Sequence, residues 1–152
     1  MLKLFKKRKS VRSFDPEKLI EKEKINEILE AADSAPSAGG LKARKIIIVT
    51  ERDKKEWLVA ASFDQKQILE APAVFVFVAL PEASAKKYAE RGRDLYAVQD
   101  ATLAAGFAWL QAVDLGLAGG WIGGFEEEQV REILDLEENE KPVVILPVGY
   151  AR

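Results

Sequence analysis

Residues Asp94 to Leu117 read DLYAVQDATLAAGFAWLQAVDLGL, and the architecture of the chain turns on them. Leu95, Val98, Leu103, Phe107, Leu110 and Val113 alternate with Ala101, Ala104, Ala105, Ala108 and Ala112, so the spacing predicts one long helix that is apolar nearly all round. Its longest apolar stretch, Ala101 to Val113, is bounded by Asp100 and Asp114 and contains Gln111. It is too short to cross a bilayer. A helix without a polar face needs cover on every side. Either its own sheet and helices supply that cover, or a second copy of the chain does; the homodimer is the expectation, with Ala104 and Ala105 at the seam.

Outward from this helix, strands and helices follow one another without a regular βαβ series. Ala73-Val74-Phe75-Val76-Phe77-Val78-Ala79-Leu80 is the strongest strand signal. Lys45 to Thr50 is β-branched and reads as a strand buried on both faces. Ile25, Ile28, Leu29 and Ala32 keep helical spacing from about Glu21, and this helix stops at Ala35-Pro36-Ser37-Ala38-Gly39-Gly40, where Pro removes an N–H and Gly permits a tight turn. A second amphipathic helix starts in the charged residues from Glu51 and runs through Ala61. A short helix over residues 1 to 9, a short strand near Gly120 to Ile122, a helix from Glu126 to Leu134 and a strand from Pro142 to Tyr150 complete the reading. No linker or repeat interrupts it. The prediction is one α+β domain over 1–152, a mixed central sheet packed with helices.

Composition narrows the chemistry. The 152 residues contain no His and no Cys, with 23 Lys+Arg against 25 Asp+Glu. Disulfides, thiolate or imidazole zinc sites, Cys nucleophiles and Ser-His-Asp mechanisms are excluded. What remains is carboxylates, Lys, Tyr, backbone groups or a borrowed cofactor. The N-terminus has no signal-peptide h-region, so a cytoplasmic protein is expected, and the near-zero net charge of −2 argues against nucleic acid as a partner.

Three segments carry binding chemistry. Lys6-Lys7-Arg8-Lys9-Ser10-Val11-Arg12 sets guanidinium forks beside a hydroxyl, a donor set matched to phosphate; a solvated basic face or a nucleic-acid or membrane contact are its other readings. Ala35 to Gly40 is a helix-to-strand loop whose glycines let backbone approach a flat ligand. Gly116-Leu117-Ala118-Gly119-Gly120-Trp121-Ile122-Gly123-Gly124-Phe125 holds five of the ten glycines. Its spacing is not that of a dinucleotide fingerprint. Gly116 is explained as a helix C′ residue. Gly123 and Gly124 point to a close approach of backbone to something planar. The acidic runs read as a helix start and a solvated turn, no metal site is expected, and Asp100 reads as a buried structural hydrogen-bond acceptor.

Taken in order over nearly the whole chain, these segments resemble the nitroreductase-like family of FMN-dependent oxidoreductases. Arg8-Lys9-Ser10-Val11-Arg12 is similar to the family's Arg-x-Ser-x-Arg phosphate motif, and Ala35 to Gly40 to its Ala-Pro-Ser-x-x-Asn loop. Gln65, Glu70-Ala71-Pro72, Tyr96 to Ala101, Trp121-Ile122-Gly123 and Gly149-Tyr150 follow in family order. The resemblance implies FMN at a homodimer interface, with NADH or NADPH as co-substrate and a nitroaromatic, quinone or other small electron acceptor. Arg8, Ser10 and Arg12 would hold the phosphate and Lys9 the pyrimidine end. Pro36, Ser37 and Ala38 would come from the partner subunit, and Gln65 would bond the ring edge or ribityl chain. Trp121, Ile122 and Gly123 would lie along the ring, with the Gly123 N–H toward flavin N5. No side-chain base is required. The sequence departs from the pattern at Gly40, where Asn is common, at Leu41-Lys42-Ala43-Arg44, and in ending at Arg152, which would stand in for a basic tail. Flavin-dependent dehydrogenation or dehalogenation, or FMN binding without catalysis, are the alternatives.

Overall fold

The computed structural model describes residues 1–152. In chain order the elements are α1 (Lys3–Lys7), α2 (Lys22–Ser34), a 3-10 turn (Ala38–Gly40), β1 (Arg44–Val49), α3 (Arg52–Ala61), α4 (Gln67–Glu70), β2 (Ala73–Ala79), α5 (Pro81–Arg91), a π turn (Gly92–Tyr96), α6 (Ala97–Asp114), β3 (Ala118–Gly119), α7 (Glu127–Ile133) and β4 (Lys141–Gly149). The four strands form one sheet in the order β1-β2-β4-β3. All three ladders are antiparallel, and the parallel component is a single bridge between Ser10 and Gly119.

The period-two alternation of β2 sorts its side chains onto two cores. Phe75 and Phe77 face α2 and α6, with Leu146 and Val148 of β4 beside them; Val74, Val76 and Val78 face α3, α4 and α7, with Leu58, Ile68, Val130 and Ile145. Every residue of β2 is buried, as its unbroken apolar run requires. β1 differs from expectation: it lies at the sheet edge, and Lys45 to Ile48 are only half-buried.

The long helix also differs in detail. The π turn shifts its regular part to Ala97, and Ala101, Ala104, Ala105, Ala108 and Ala112 are fully buried against the sheet and α2. Small side chains there let the helix lie close to the sheet. Leu103 and Phe107 point the other way and are 41% and 39% exposed. The chain therefore does not cover its own central helix, and the uncovered row is Leu103 and Phe107, not Ala104 and Ala105. Gly116 ends α6 as expected: at φ 78° it lets Leu117 N–H donate to Ala112 O (2.9 Å) and its own N–H donate to Val113 O (3.1 Å), closing the last turn.

Candidate functional site

The Arg8 to Arg12 segment is extended and lies beside β3. Val11 N–H donates to Gly119 O at 3.0 Å, and Arg152 N–H donates to Ser13 O at 3.3 Å, so the last residue of the chain is drawn alongside the basic run. Close packing explains two of the glycines. A Cβ on Gly120 would stand 2.6 Å from Val11 O, and one on Gly119 would stand 2.7 Å from the Trp109 ring. Above that ring, the Arg8 guanidinium lies 4.5 Å from the centroid, and Trp121 packs 6.1 Å away. Trp109 thus forms the floor of the cluster, and its buried Nε1 has no hydrogen-bond partner. Sequence reading missed it, because one large residue in an apolar helix carries no signal of its own.

The electrostatics of this face are one-sided. None of Arg8, Lys9, Arg12 and Arg152 forms a salt bridge, and the Ser10 hydroxyl donates to nothing. Four cations and a hydroxyl remain available to an anion, the donor set a phosphate monoester needs. Next to them, Trp121 is 38% exposed and Gly123 and Gly124 present bare backbone: a Cβ on either would meet nothing closer than 3.7 Å, and the Gly123 N–H donates to no group of the chain. A flat ring therefore has room to approach. Ile122 is placed differently from the expected ring contact. Its side chain is 2% exposed in the core under the sheet, and its N–H and C=O pair with Ile145 at 2.9 and 3.0 Å. Gln65 reaches the same loop, where its Nε2 donates to Gly124 O at 3.3 Å and its Oε1 accepts from Gln67 Nε2 at 3.1 Å. The loop before it is strained: Phe63 and Asp64 hold φ of 54° and 60°.

Pro36, Ser37 and Ala38 are elsewhere. Asp100, 2% exposed, accepts from Ala38 N–H at 3.0 Å and from Ala43 N–H at 3.1 Å, pinning the loop to the N-terminal end of α6. Asp100 therefore has the structural role its sequence position indicated. Trp109 lies nine residues further along the same helix, roughly 13 Å at 1.5 Å per residue. Within one chain, then, the predicted residues fall into two groups: Arg8 to Arg12, Gln65, Trp121 to Gly123 and Arg152 at one end of α6, and Pro36 to Ala38 at the other. The second group lines an open cleft of about 460 Å³ with Tyr96, Gln99 and Leu103.

Two buried cations, also missed from sequence, hold the scaffold. Arg44 donates to the carbonyls of Ala32 (3.1 Å), Asp33 (3.1 Å) and Ala35 (2.9 Å), closing the C-terminal end of α2 where unpaired carbonyls gather. Lys55 donates to Ala71 O at 2.9 Å at the end of α4, and burial pushes its ammonium pKa down, with Arg52 adding to the shift. A basic residue at a strand start and one within a helix look solvent-facing in sequence, which is why neither was singled out.

The nitroreductase family profile matches residues 5–84 and 58–150. YdgI of Bacillus subtilis, described provisionally as an NAD(P)H nitroreductase, is 32% identical, with 99% of this chain and 88% of that protein covered. The FMN reductase (NADPH) of the same organism is 28% identical over 93% of this chain and 62% of its own length. A nitroreductase family protein of known structure from Clostridium novyi NT superposes with a TM-score of 0.87 at 25% identity, covering 99% of this chain and 84% of that one. The chain has no helix long and apolar enough to cross a membrane. It belongs to the nitroreductase family, whose members include NAD(P)H-dependent oxidoreductases.

Proposed function

We propose that this chain is an FMN-dependent NAD(P)H oxidoreductase that works as a homodimer in the cytoplasm and reduces a small acceptor such as a nitroaromatic or quinone. The observation that carries this reading is the unpaired donor set of Arg8, Ser10 and Arg12, docked through Gly119 and Gly120 against a loop of bare backbone. FMN, when bound, supplies the acceptance of hydride from NADH or NADPH and its donation to the acceptor at one site. Arg8, Ser10 and Arg12 would hold its phosphate, with Lys9 and Arg152 adding positive charge. The free Gly123 N–H would donate to N5, Trp121 would border the ring, and Ile122 would offer backbone only. Gln65 would act through its grip on Gly124, or by exchanging that bond for one to the ring edge. Pro36 to Ala38, at the far end of α6, meet this group only if a second copy supplies them, and the exposed Leu103 and Phe107 give that copy an apolar face to cover.

The test is direct. Protein reconstituted with FMN should be yellow and should bleach anaerobically on addition of NADH or NADPH. Replacing both Arg8 and Arg12 with Ala should weaken FMN binding by at least about a hundredfold, since two charge-assisted contacts are each worth about 1.5–3 kcal/mol, and should leave riboflavin affinity within about twofold. Equal losses for both ligands would contradict the phosphate assignment. Yellow protein that never bleaches would mean flavin binding without turnover.

A further inference from the structure

Lys55 is a buried amine for which the flavin reading has no use. α3 carries it inward to a position 8% exposed, where its Nζ donates to Ala71 O at 2.9 Å and to Leu69 O at 3.3 Å. No carboxylate lies within salt-bridge distance of it. Glu70 lines the same cavity, but its Oε2 accepts the Phe14 N–H at 3.0 Å. A tetrahedral nitrogen with two N–H groups held by carbonyls has one direction left. In the ammonium that direction carries a third proton with no acceptor in the chain; in the neutral amine it carries the lone pair. Burial, with Arg52 one turn earlier on α3 adding to it, pushes the ammonium pKa down. Desolvation and a neighbouring cation are the two environments that turn a lysine into a nucleophile.

The amine lines a cavity of about 280 Å³ whose walls are largely aliphatic: Pro16, Leu19, Ile20, Ile25, Leu69 and Pro72. None of these residues belongs to the Arg8 to Gly123 group or to the cleft beside Pro36 to Ala38. Aliphatic walls and the Glu70 carboxylate disfavour an anion, which leaves a neutral compound as the guest. We propose that Lys55 captures the carbonyl group of an aliphatic aldehyde or ketone as an imine, with the carbon chain filling this cavity. The Nζ lone pair attacks the carbonyl carbon and the C–N bond forms. The carbonyl π pair moves to oxygen, which takes up a proton as nitrogen gives one up. The carbinolamine then loses its hydroxyl as water, leaving a C=N bond, and no oxidant or reductant is consumed. A protonated imine keeps one N–H, enough for the closer acceptor, Ala71 O, so only the longer bond to Leu69 O is given up.

The experiment treats the full folded chain at neutral pH with hexanal and sodium cyanoborohydride, which traps an imine as a secondary amine, and maps the hexylated lysines by mass spectrometry of a digest. Lys55 should react at least about tenfold faster than the exposed Lys22 and Lys86, because each unit by which a lysine pKa falls raises its neutral fraction about tenfold. The wild type carries this readout, so it does not depend on a variant folding. The preference for Lys55 should vanish in unfolding urea, and it should be at least about fivefold weaker with formaldehyde, which has no chain to bury. Leu19→Ser, at a wall residue that is 76% exposed and outside the core, should lower the hexanal preference about twofold and leave the formaldehyde preference unchanged. A Lys55 rate no greater than those of Lys22 and Lys86 overturns the proposal and makes the residue a structural tie alone. A preference that survives in urea overturns it as well, because the fold would then contribute nothing. So does an equal preference with formaldehyde and hexanal, because the cavity would then hold no chain.

Discussion

Replacing Asp100 tests how the loop from Pro36 to Ala43 is held. The carboxylate is 2% exposed and accepts two backbone N–H groups, from Ala38 at 3.0 Å and Ala43 at 3.1 Å, while Ala43 itself is fully buried. Asp100→Ala removes both charge-assisted bonds, worth about 1.5–3 kcal/mol each, and leaves the Ala43 N–H without a partner or water. The two losses overlap, so about 3–5 kcal/mol is expected, a large part of the roughly 5–15 kcal/mol that keeps a domain folded. Asp100→Asn keeps one acceptor but turns an NH₂ toward the second N–H, and should cost about half as much. In urea, with a slope of about 2 kcal/mol/M, the midpoint should drop by about 1.5–2.5 M for Ala and about 1 M for Asn, at one fixed protein concentration because dimerisation adds to stability. Amide exchange at Ala43 should accelerate in parallel. A shift below about 0.5 M for Asp100→Ala, or unchanged exchange at Ala43, would refute the view that this carboxylate pins the loop.

Three further outcomes follow from the geometry. Phe107→Glu places a charge on the uncovered row of α6 and should give a folded monomer with weakened FMN binding, measured by sedimentation and flavin titration; a dimer that persists would put the seam elsewhere. Gly119→Ala puts a methyl 2.7 Å from the Trp109 ring, so the overpacking should cost about 1–3 kcal/mol in thermal or urea unfolding and loosen FMN through Arg8, and wild-type behaviour in both assays would contradict the packing described. Glu21 is held below the usual carboxylate range by a hydrogen bond from its own backbone N–H and then by the Tyr150 hydroxyl, which donates at 2.9 Å. Its contribution is therefore present above pH 4.5 and lost as pH falls through its lowered value, so the stability difference between wild type and Glu21→Gln should shrink on acidification; a pH-independent difference would count against that linkage.

The parts of the fold written in side-chain periodicity were legible. β2, β4, α2, α3 and α7 lie where apolar spacing puts them, to within a residue or two, and Gly116 closes α6 in the manner its position implied. α5 was not legible, because Lys86, Lys87, Glu90 and Arg91 dilute its apolar face and the turn at Ala89 uses no glycine. Nor was the inner face of α6. Apolar residues all round give no direction, and only the sheet decides that alanines pack inward and Leu103 and Phe107 outward. At the site, the basic run and the glycine cluster were visible as separate motifs. Their meeting was not, since it depends on one backbone hydrogen bond from Val11 and on Trp109 filling the space beside Gly119. The place of Pro36 to Ala38, pinned by Asp100 at the N-terminal end of α6 and away from Arg8, is likewise a matter of tertiary packing that no local motif encodes.

The stacking of Arg8, Trp109 and Trp121 has an optical consequence. Of the three tryptophans, Trp57 is 56% exposed on α3, while Trp109 and Trp121 are neighbours at 6.1 Å beneath and beside the basic segment. Indole emission depends on nearby charge and on energy transfer to adjacent chromophores. Most of the ultraviolet fluorescence that changes when the N-terminal segment lifts, or when an absorbing ring settles nearby, therefore originates at this one place, with Trp57 as a steady solvent-facing background. The chain carries its own label for following docking of its first twelve residues in real time, with no dye attached and no residue replaced.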